Sequence, residues 1–171
     1  MADYMKVTPL TVNHVNAGLV AGTTNTLTTT VTTNCVIDGK FATAKTAITN
    51  SSFATEGITA DYATGAAFVP LTSTSTTGSA CALVFGITAA GALRLVQGPI
   101  VVTDLGVTTT PGAFRMAPQF PGIPDGFCPI GYTIVRTSPS VATFTVGTSS
   151  WANNSTTFQN ISMLPAAPQI A

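Results

Sequence analysis

Charged side chains are scarce in this 171-residue sequence. Six basic and six acidic residues make up 7% of the chain and leave a formal net charge of zero, whereas about 25% of the residues of an ordinary domain are charged. The basic residues are scattered, which argues against a nucleic-acid partner, because nucleic acids are bound through clustered Lys and Arg. A surface with so few charges does not prevent monomers from associating. We therefore expect much of the surface to be covered in a homo-oligomer or a larger assembly.

Long apolar segments are also missing. A transmembrane helix needs about 18 or more consecutive apolar residues, and the sequence has no such run. The N-terminal stretch MADYMKVTPLTVNHVNAGLV contains one lysine and no unbroken apolar segment, unlike a secretory signal peptide. We therefore expect no membrane partner and synthesis in a cytosol.

The residue types that catalysis usually requires are few. His14 is the only histidine, and the sequence contains no GxSxG, phosphate-binding-loop or HExxH motif. The carboxylates are Asp3, Asp38, Glu56, Asp61, Asp104 and Asp125. Asp38 and Asp125 each precede a glycine, which is typical of turns. We expect no catalytic residue, no cofactor and no metal site, and therefore a protein that is not an enzyme.

The three cysteines and the single tryptophan are predicted to be buried. Cys35, Cys81 and Cys128 lie far apart and form no CxxC motif, so they fit neither a zinc site nor a disulfide framework. Their neighbours are apolar, which favours buried thiols. An exposed Trp151 would be able to stack on a sugar, but carbohydrate sites usually gather several aromatic side chains, so burial is favoured.

Threonine is abundant and predicts β-structure. The chain has 32 threonines, a residue type that favours strands over helices. Turn residues recur about every ten residues, and two hairpins are predicted, one around Asp38 and Gly39 and one around residues 88–91. The sequence therefore predicts an all-β fold, an antiparallel β-sandwich or small jelly-roll-like barrel. Residues 1–34 are predicted as an extended N-terminal arm with the first strand, and residues 35–171 as the sandwich domain. A short helix over residues 12–22 is the alternative for the arm.

A proline-rich crossing occupies residues 118–130. Proline fixes its own φ and restricts the preceding residue to extended conformations. Four prolines are therefore expected to stiffen this segment, which is followed by the strand-like run GYTIVR. Phe120, Ile123 and Phe127 give the crossing an apolar side that something must cover. The crossing is expected either to join two sheets or to lie against a neighbouring subunit.

Several of these segments carry a resemblance. In order along the chain they are CVIDGKFATA, CALVFGITAAGALRLVQGPIV, APQFPGIPDGFCPIGYTIVR, FTVGTSSW and MLPAAPQ. From Cys35 onward, the sequence resembles small virion proteins of tailed bacteriophages, namely capsid decoration (cement) proteins and related head or fibre modules. The resemblance implies a β-rich homotrimer that binds the outside of the major capsid protein lattice. It also implies that the N-terminal arm docks on the capsid or exchanges between subunits.

These inferences define two sets of candidate site residues. The candidates for capsid docking are Leu10, Val12, His14, Val15, Leu19 and Val20. The candidates for the subunit interface are Phe120, Ile123 and Phe127.

Other functions stay open at this point. The main alternative is a receptor-binding or fibre-tip module with a sugar site near Trp151. A polysaccharide-cleaving enzyme that uses Asp61 or Asp104 is a third. Lys45, Asn50 and Glu56 are also of the types that form isopeptide cross-links in surface adhesins.

Overall fold

The computed structural model describes residues 10–151 and 157–169. Within these ranges the chain is all-β, with antiparallel sheets and no helix. The strands are β1 Val12–Asn13, β2 Leu19–Ala21, β3 Leu27–Thr29, β4 Cys35–Ile37, β5 Lys40–Phe41, β6 Ile48–Ser51, β7 Leu71–Thr72, β8 Thr77–Thr88, β9 Leu93–Gln97, β10 Val101–Asp104, β11 Phe127–Arg136, β12 Thr143–Phe144 and β13 Phe158–Asn160. The predicted class, an all-β antiparallel sandwich, is confirmed.

The central sheet is built on β8 and β11. These two strands have 12 and 10 residues and pair along nearly their whole length, from Thr88 opposite Phe127 to Ala80 opposite Arg136. On the other side of β8, β10 pairs with residues 77–80 and β9 pairs with residues 83–87. β13 pairs with the outer side of β11. Most residues of β8 and β11 are buried. Their nearly continuous apolar sequences follow from this, because a sheet covered on both faces has no polar side.

Three smaller sheets accompany the central one. They contain β1-β4-β5, β2-β3-β6 and β7-β12. Side chains from all three meet one face of β8 and β11 in the main core, where Leu27, Leu71 and Phe85 are fully buried. The ring of Trp151 lies at the centre of this core. Its centroid is 5.3–6.5 Å from those of Phe53, Phe85, Phe144 and Phe158.

The opposite face of the central sheet is covered by segments without regular structure. Val84, Val96 and Tyr132 form a second core there. The proline-rich crossing lies over it and places the ring of Phe120 edge-on to Tyr132, with centroids 4.9 Å apart. Ile161 and Leu164 of the C-terminal segment complete the cover. The apolar side of the crossing is therefore covered by the chain's own sheet.

Local turn chemistry predicted both hairpins correctly. β4 and β5 are joined by Asp38 and Gly39, both with positive φ (51° and 76°), and β8 and β9 pair across residues 88–91. The predicted boundary of the crossing is wrong, because β11 already begins at Phe127. Pro129 lies inside that strand at a shift of register. It is tolerated there because a bulge removes the need for one ladder hydrogen bond.

The C-terminal strands do not follow one another in one sheet: β13 pairs directly with β11, while β12 pairs with β7. The expected N-terminal arm needs correction. Residues 10–34 do not project as an arm: β1 pairs with β4 and β3 with β6. Strands of two or three residues cannot bury a face alone, so these pair with the rest of the chain. Residues 1–9, which belong to the expected arm, lie outside the described residues.

A glycine of β8 tests the tight packing of the central sheet. A Cβ at Gly86 would clash with the ring of Phe127 and lie 2.6 Å from the carbonyl oxygen of Cys128. We expect the Gly86→Ala variant to lose about 1–3 kcal/mol of unfolding free energy, as overpacked cores do. Urea denaturation measures this.

Gly122→Ala is the matched control. No heavy atom lies within 4 Å of a Cβ at Gly122, and its φ is not in the left-handed region. Its unfolding free energy should stay within about 1 kcal/mol of that of the unsubstituted chain. Equal losses for the two variants would contradict the packing described here.

Candidate functional site

The side chains considered for catalysis do not converge. His14 is exposed, and its ring lies 6.3 Å from that of Phe41. Asp104 is exposed and pairs with Arg115. Over residues 10–151 and 157–169, no group of three or more His, Cys, Asp and Glu side chains could hold a metal ion. The same ranges contain no helix long and apolar enough to cross a membrane.

The cysteines are buried free thiols, as predicted. Burial raises the pKa of Cys81 to about 12. A hydrogen bond with Cys35, together with burial, also raises the pKa of the Cys128 thiol. Thiols with raised pKa values react slowly at neutral pH, because the thiolate is the nucleophile. Both cysteines therefore serve as small apolar side chains of the core.

Trp151 has no face free to bind a sugar. Its side chain is buried, and its Nε1 donates a hydrogen bond of 2.9 Å to the carbonyl oxygen of Thr26. Its burial is confirmed, and the receptor-binding alternative loses the residue on which its sugar site depended.

Lys45 and Glu56 meet in a half-buried ion pair. Lys45 Nζ lies 2.6 Å from Glu56 Oε2, and the hydroxyl of Ser51 donates a 2.6 Å hydrogen bond to Glu56 Oε1. Burial alone would raise the pKa of Glu56, but these hydrogen bonds and the charge of Lys45 outweigh it and lower the pKa below its ordinary value. Asn50 does not join them; its Oδ1 accepts from the backbone N–H of Thr23. The pair anchors the loop after β6.

The candidate docking residues do not share one exposed surface. Leu10, His14 and Val20 are exposed, and Val12 and Val15 are partly buried. Leu19 must be removed from the set. Its side chain is fully buried in the main core against Gly131. A side chain without exposed surface cannot contact a partner.

The candidate interface residues cover the chain itself. Phe127 is buried in the second core and stacks on Tyr62, with ring centroids 5.7 Å apart. Phe120 and Ile123 pack against the same core and keep only part of their surface exposed. All three side chains therefore make intrachain contacts, and Ile123 and Phe127 also border a groove.

That groove unites residues from both candidate sets. It has a volume of about 360 Å³ and is lined by residues 10–11, Asp38, residues 123–127, Pro129 and residues 162–164. We call it the Leu10 groove. The backbone N–H of Gly39 donates to the carbonyl oxygen of Leu10 at 3.0 Å, which holds Leu10 beside the hairpin turn. The sequence indicated Leu10 and Ile123 separately, but nothing in it indicated that they would be neighbours.

A larger groove, of about 620 Å³, lies along β9. It is lined by the loop of residues 61–69, by residues 96–100 and by Pro121 with Gly122. Asp61 is buried in its wall and accepts hydrogen bonds from Thr64 Oγ1 at 2.7 Å and from the N–H of Gln97 at 3.2 Å. The side chain of Gln97 also makes two 2.8 Å hydrogen bonds to the backbone of Val69. Asp61 therefore holds this loop against the edge of β9.

Comparison with protein-family models, curated proteins and solved structures finds no match for this chain.

The Lys45–Glu56 pair yields a pH-dependent prediction. Glu56→Gln keeps the shape of the side chain but removes its negative charge. We expect it to lower the unfolding free energy by about 1.5–3 kcal/mol at pH 7, the usual contribution of hydrogen bonds to charged groups. Since the folded-state pKa lies below the ordinary value of 4.5, this stabilisation is fully present above that value. It is lost as the pH falls through the lower folded-state pKa. Urea unfolding between pH 7 and pH 3 measures the difference between the two proteins.

Asp104→Asn is the control for an exposed pair. Arg115 and Asp104 are each 53% exposed, against 21% for Lys45 and 8% for Glu56. Asp104→Asn should therefore lower the unfolding free energy by only about 0–1 kcal/mol. If the cost of Glu56→Gln stayed constant down to pH 3, the ion pair would not be its source.

Proposed function

We propose that this protein is a structural component of a bacteriophage particle, a capsid decoration protein. In this proposal it binds the outer surface of the major capsid protein lattice as a homotrimer and stabilises the mature head. The proposal combines the sequence resemblance with the surface of the fold, and it takes the protein not to be an enzyme.

The supporting observation is the number of large apolar side chains on a surface with very few charges. Phe41 is 85% exposed, and Val107, Met116, Met163 and Leu10 are 57–74% exposed. Single exposed apolar residues are normal, but clefts that gather them are typical of interaction sites. Leu10 and Met163 meet in the Leu10 groove. A protein partner is the kind of ligand that covers such side chains.

The mechanism would be linkage. A protein that binds only the mature lattice stabilises that lattice by its own binding free energy at every occupied site. The total grows with the number of copies, so modest affinity at each site is sufficient. A rigid binding unit limits the entropy lost on docking. The buried cores on both faces of the central sheet provide that rigidity.

The copy number of the protein in purified particles tests this function. Quantitative mass spectrometry with isotope-labelled peptides would give its ratio to the major capsid protein. We expect hundreds of copies per particle, because a decoration protein occupies repeated positions of the lattice. A handful of copies would contradict a lattice position, and absence from the particles would contradict any virion role.

A further inference from the structure

The Leu10 groove combines an apolar floor with two unpaired carboxylates. Asp38 and Asp125 line it and are both exposed. The ion pairs among the described residues are Lys45–Glu56 and Arg115–Asp104, so neither groove carboxylate has a basic partner there. Among the residues that the structure describes, no lysine or arginine lines the groove. In a chain with only six acidic residues, two on one groove give it a local negative charge that the molecule as a whole lacks.

The rest of the groove lining is mainly apolar. Phe127 and Leu164 belong to the second core, and Leu10 and Met163 stand exposed at the rim. At about 360 Å³, the groove lies at the small end of the range of about 300–1,000 Å³ for ligand pockets. It therefore has room for a few side chains of an extended segment.

The walls of the groove are held in place before any partner binds. Proline fixes the backbone at Pro124 and at Pro129. On the other wall, Thr11 Oγ1 accepts a 3.2 Å hydrogen bond from the N–H of Asp38. A preformed site loses little entropy when a ligand binds. Such rigidity fits a binding site better than a surface turn that merely closes a loop.

We propose that the Leu10 groove binds an extended segment of a partner protein in which a lysine or arginine is flanked by apolar side chains. The basic group lies between Asp38 and Asp125, and the apolar groups contact Leu10, Ile123 and Met163. Charge complementarity selects this occupant, because a neutral or acidic segment would leave both carboxylates without a counter-charge. This inference rests on the proposed function, under which the segment belongs to the major capsid protein.

Binding to particles that lack the protein tests the groove. The probe is the labelled full-length chain added to purified particles from a phage with its gene deleted, at 50 mM and 300 mM NaCl. Asp38→Asn with Asp125→Asn should weaken binding about 3- to 10-fold at low salt, as expected for two exposed ion pairs. High salt should reduce this difference, because it screens the pairs. Asparagine suits position 38, since it tolerates the positive φ found there (51°).

Two matched controls separate the groove from general surface effects. Asp104→Asn changes the charge of another exposed carboxylate, and Val69→Ser removes an apolar side chain exposed at the opposite groove. Both should bind like the unsubstituted chain, whereas Met163→Ser should weaken binding at least about fivefold by removing an apolar contact of the groove. Far-UV circular dichroism confirms that each variant is folded.

The outcomes distinguish this inference from the function on which it rests. If the unsubstituted chain binds and the groove variants bind equally well, the groove inference is overturned and the decoration function stands. If the unsubstituted chain does not bind the particles, both are overturned. If the groove variants instead lose only self-association in sedimentation velocity, the occupant is a second copy of this chain, which also overturns the inference.

Discussion

The pairing of β8 with β11 is the constraint on which the rest of the structure depends. The two strands pair along nearly their whole length and are buried on both faces, so each face needs a separate cover. The three small sheets and the Trp151 cluster provide one cover, and the proline-rich crossing with the C-terminal segment provides the other. Glycine is required where a cover packs closely against the backbone of the central sheet. A Cβ at Gly131 would lie 2.8 Å from Leu19 Cδ2. The grooves are the places where the second cover is incomplete.

Neutral amide side chains join the sheet edges in this chain of few charges. Asn160 at the edge of the central sheet bonds both the N–H and the carbonyl oxygen of Leu19, at 2.6 and 3.1 Å. Gln97 does the same for Val69, and Asn13 Nδ2 donates to the carbonyl oxygen of Ile161 at 3.2 Å. These contacts occupy strand edges that would otherwise be open to other chains. Strand edges occupied in this way are not available for pairing with another chain.

The sequence predicted what local chemistry determines. The hairpin at Asp38 and Gly39, the hairpin across residues 88–91, the burial of Trp151 and the all-β class all follow from turn residues or apolar neighbours. The pairing of β8 with β11 joins residues that lie 39–56 positions apart in the sequence, and no local signal specifies it. The role of the crossing was missed for the same reason, because its apolar residues show only that some cover is needed. The Leu10 groove gathers four separate segments and has no signature in any of them.

We propose that this protein meets its partner at the surface beside Leu10, which is bounded by the crossing and the C-terminal segment. Hydrogen–deuterium exchange of the chain, free and bound to particles, tests it most directly because exchange reports which amides become covered. We expect new protection at residues 10–11, 38–39, 123–127 and 162–164. New protection confined to the opposite groove, at residues 61–69 and 98–100, with no change beside Leu10, would contradict it.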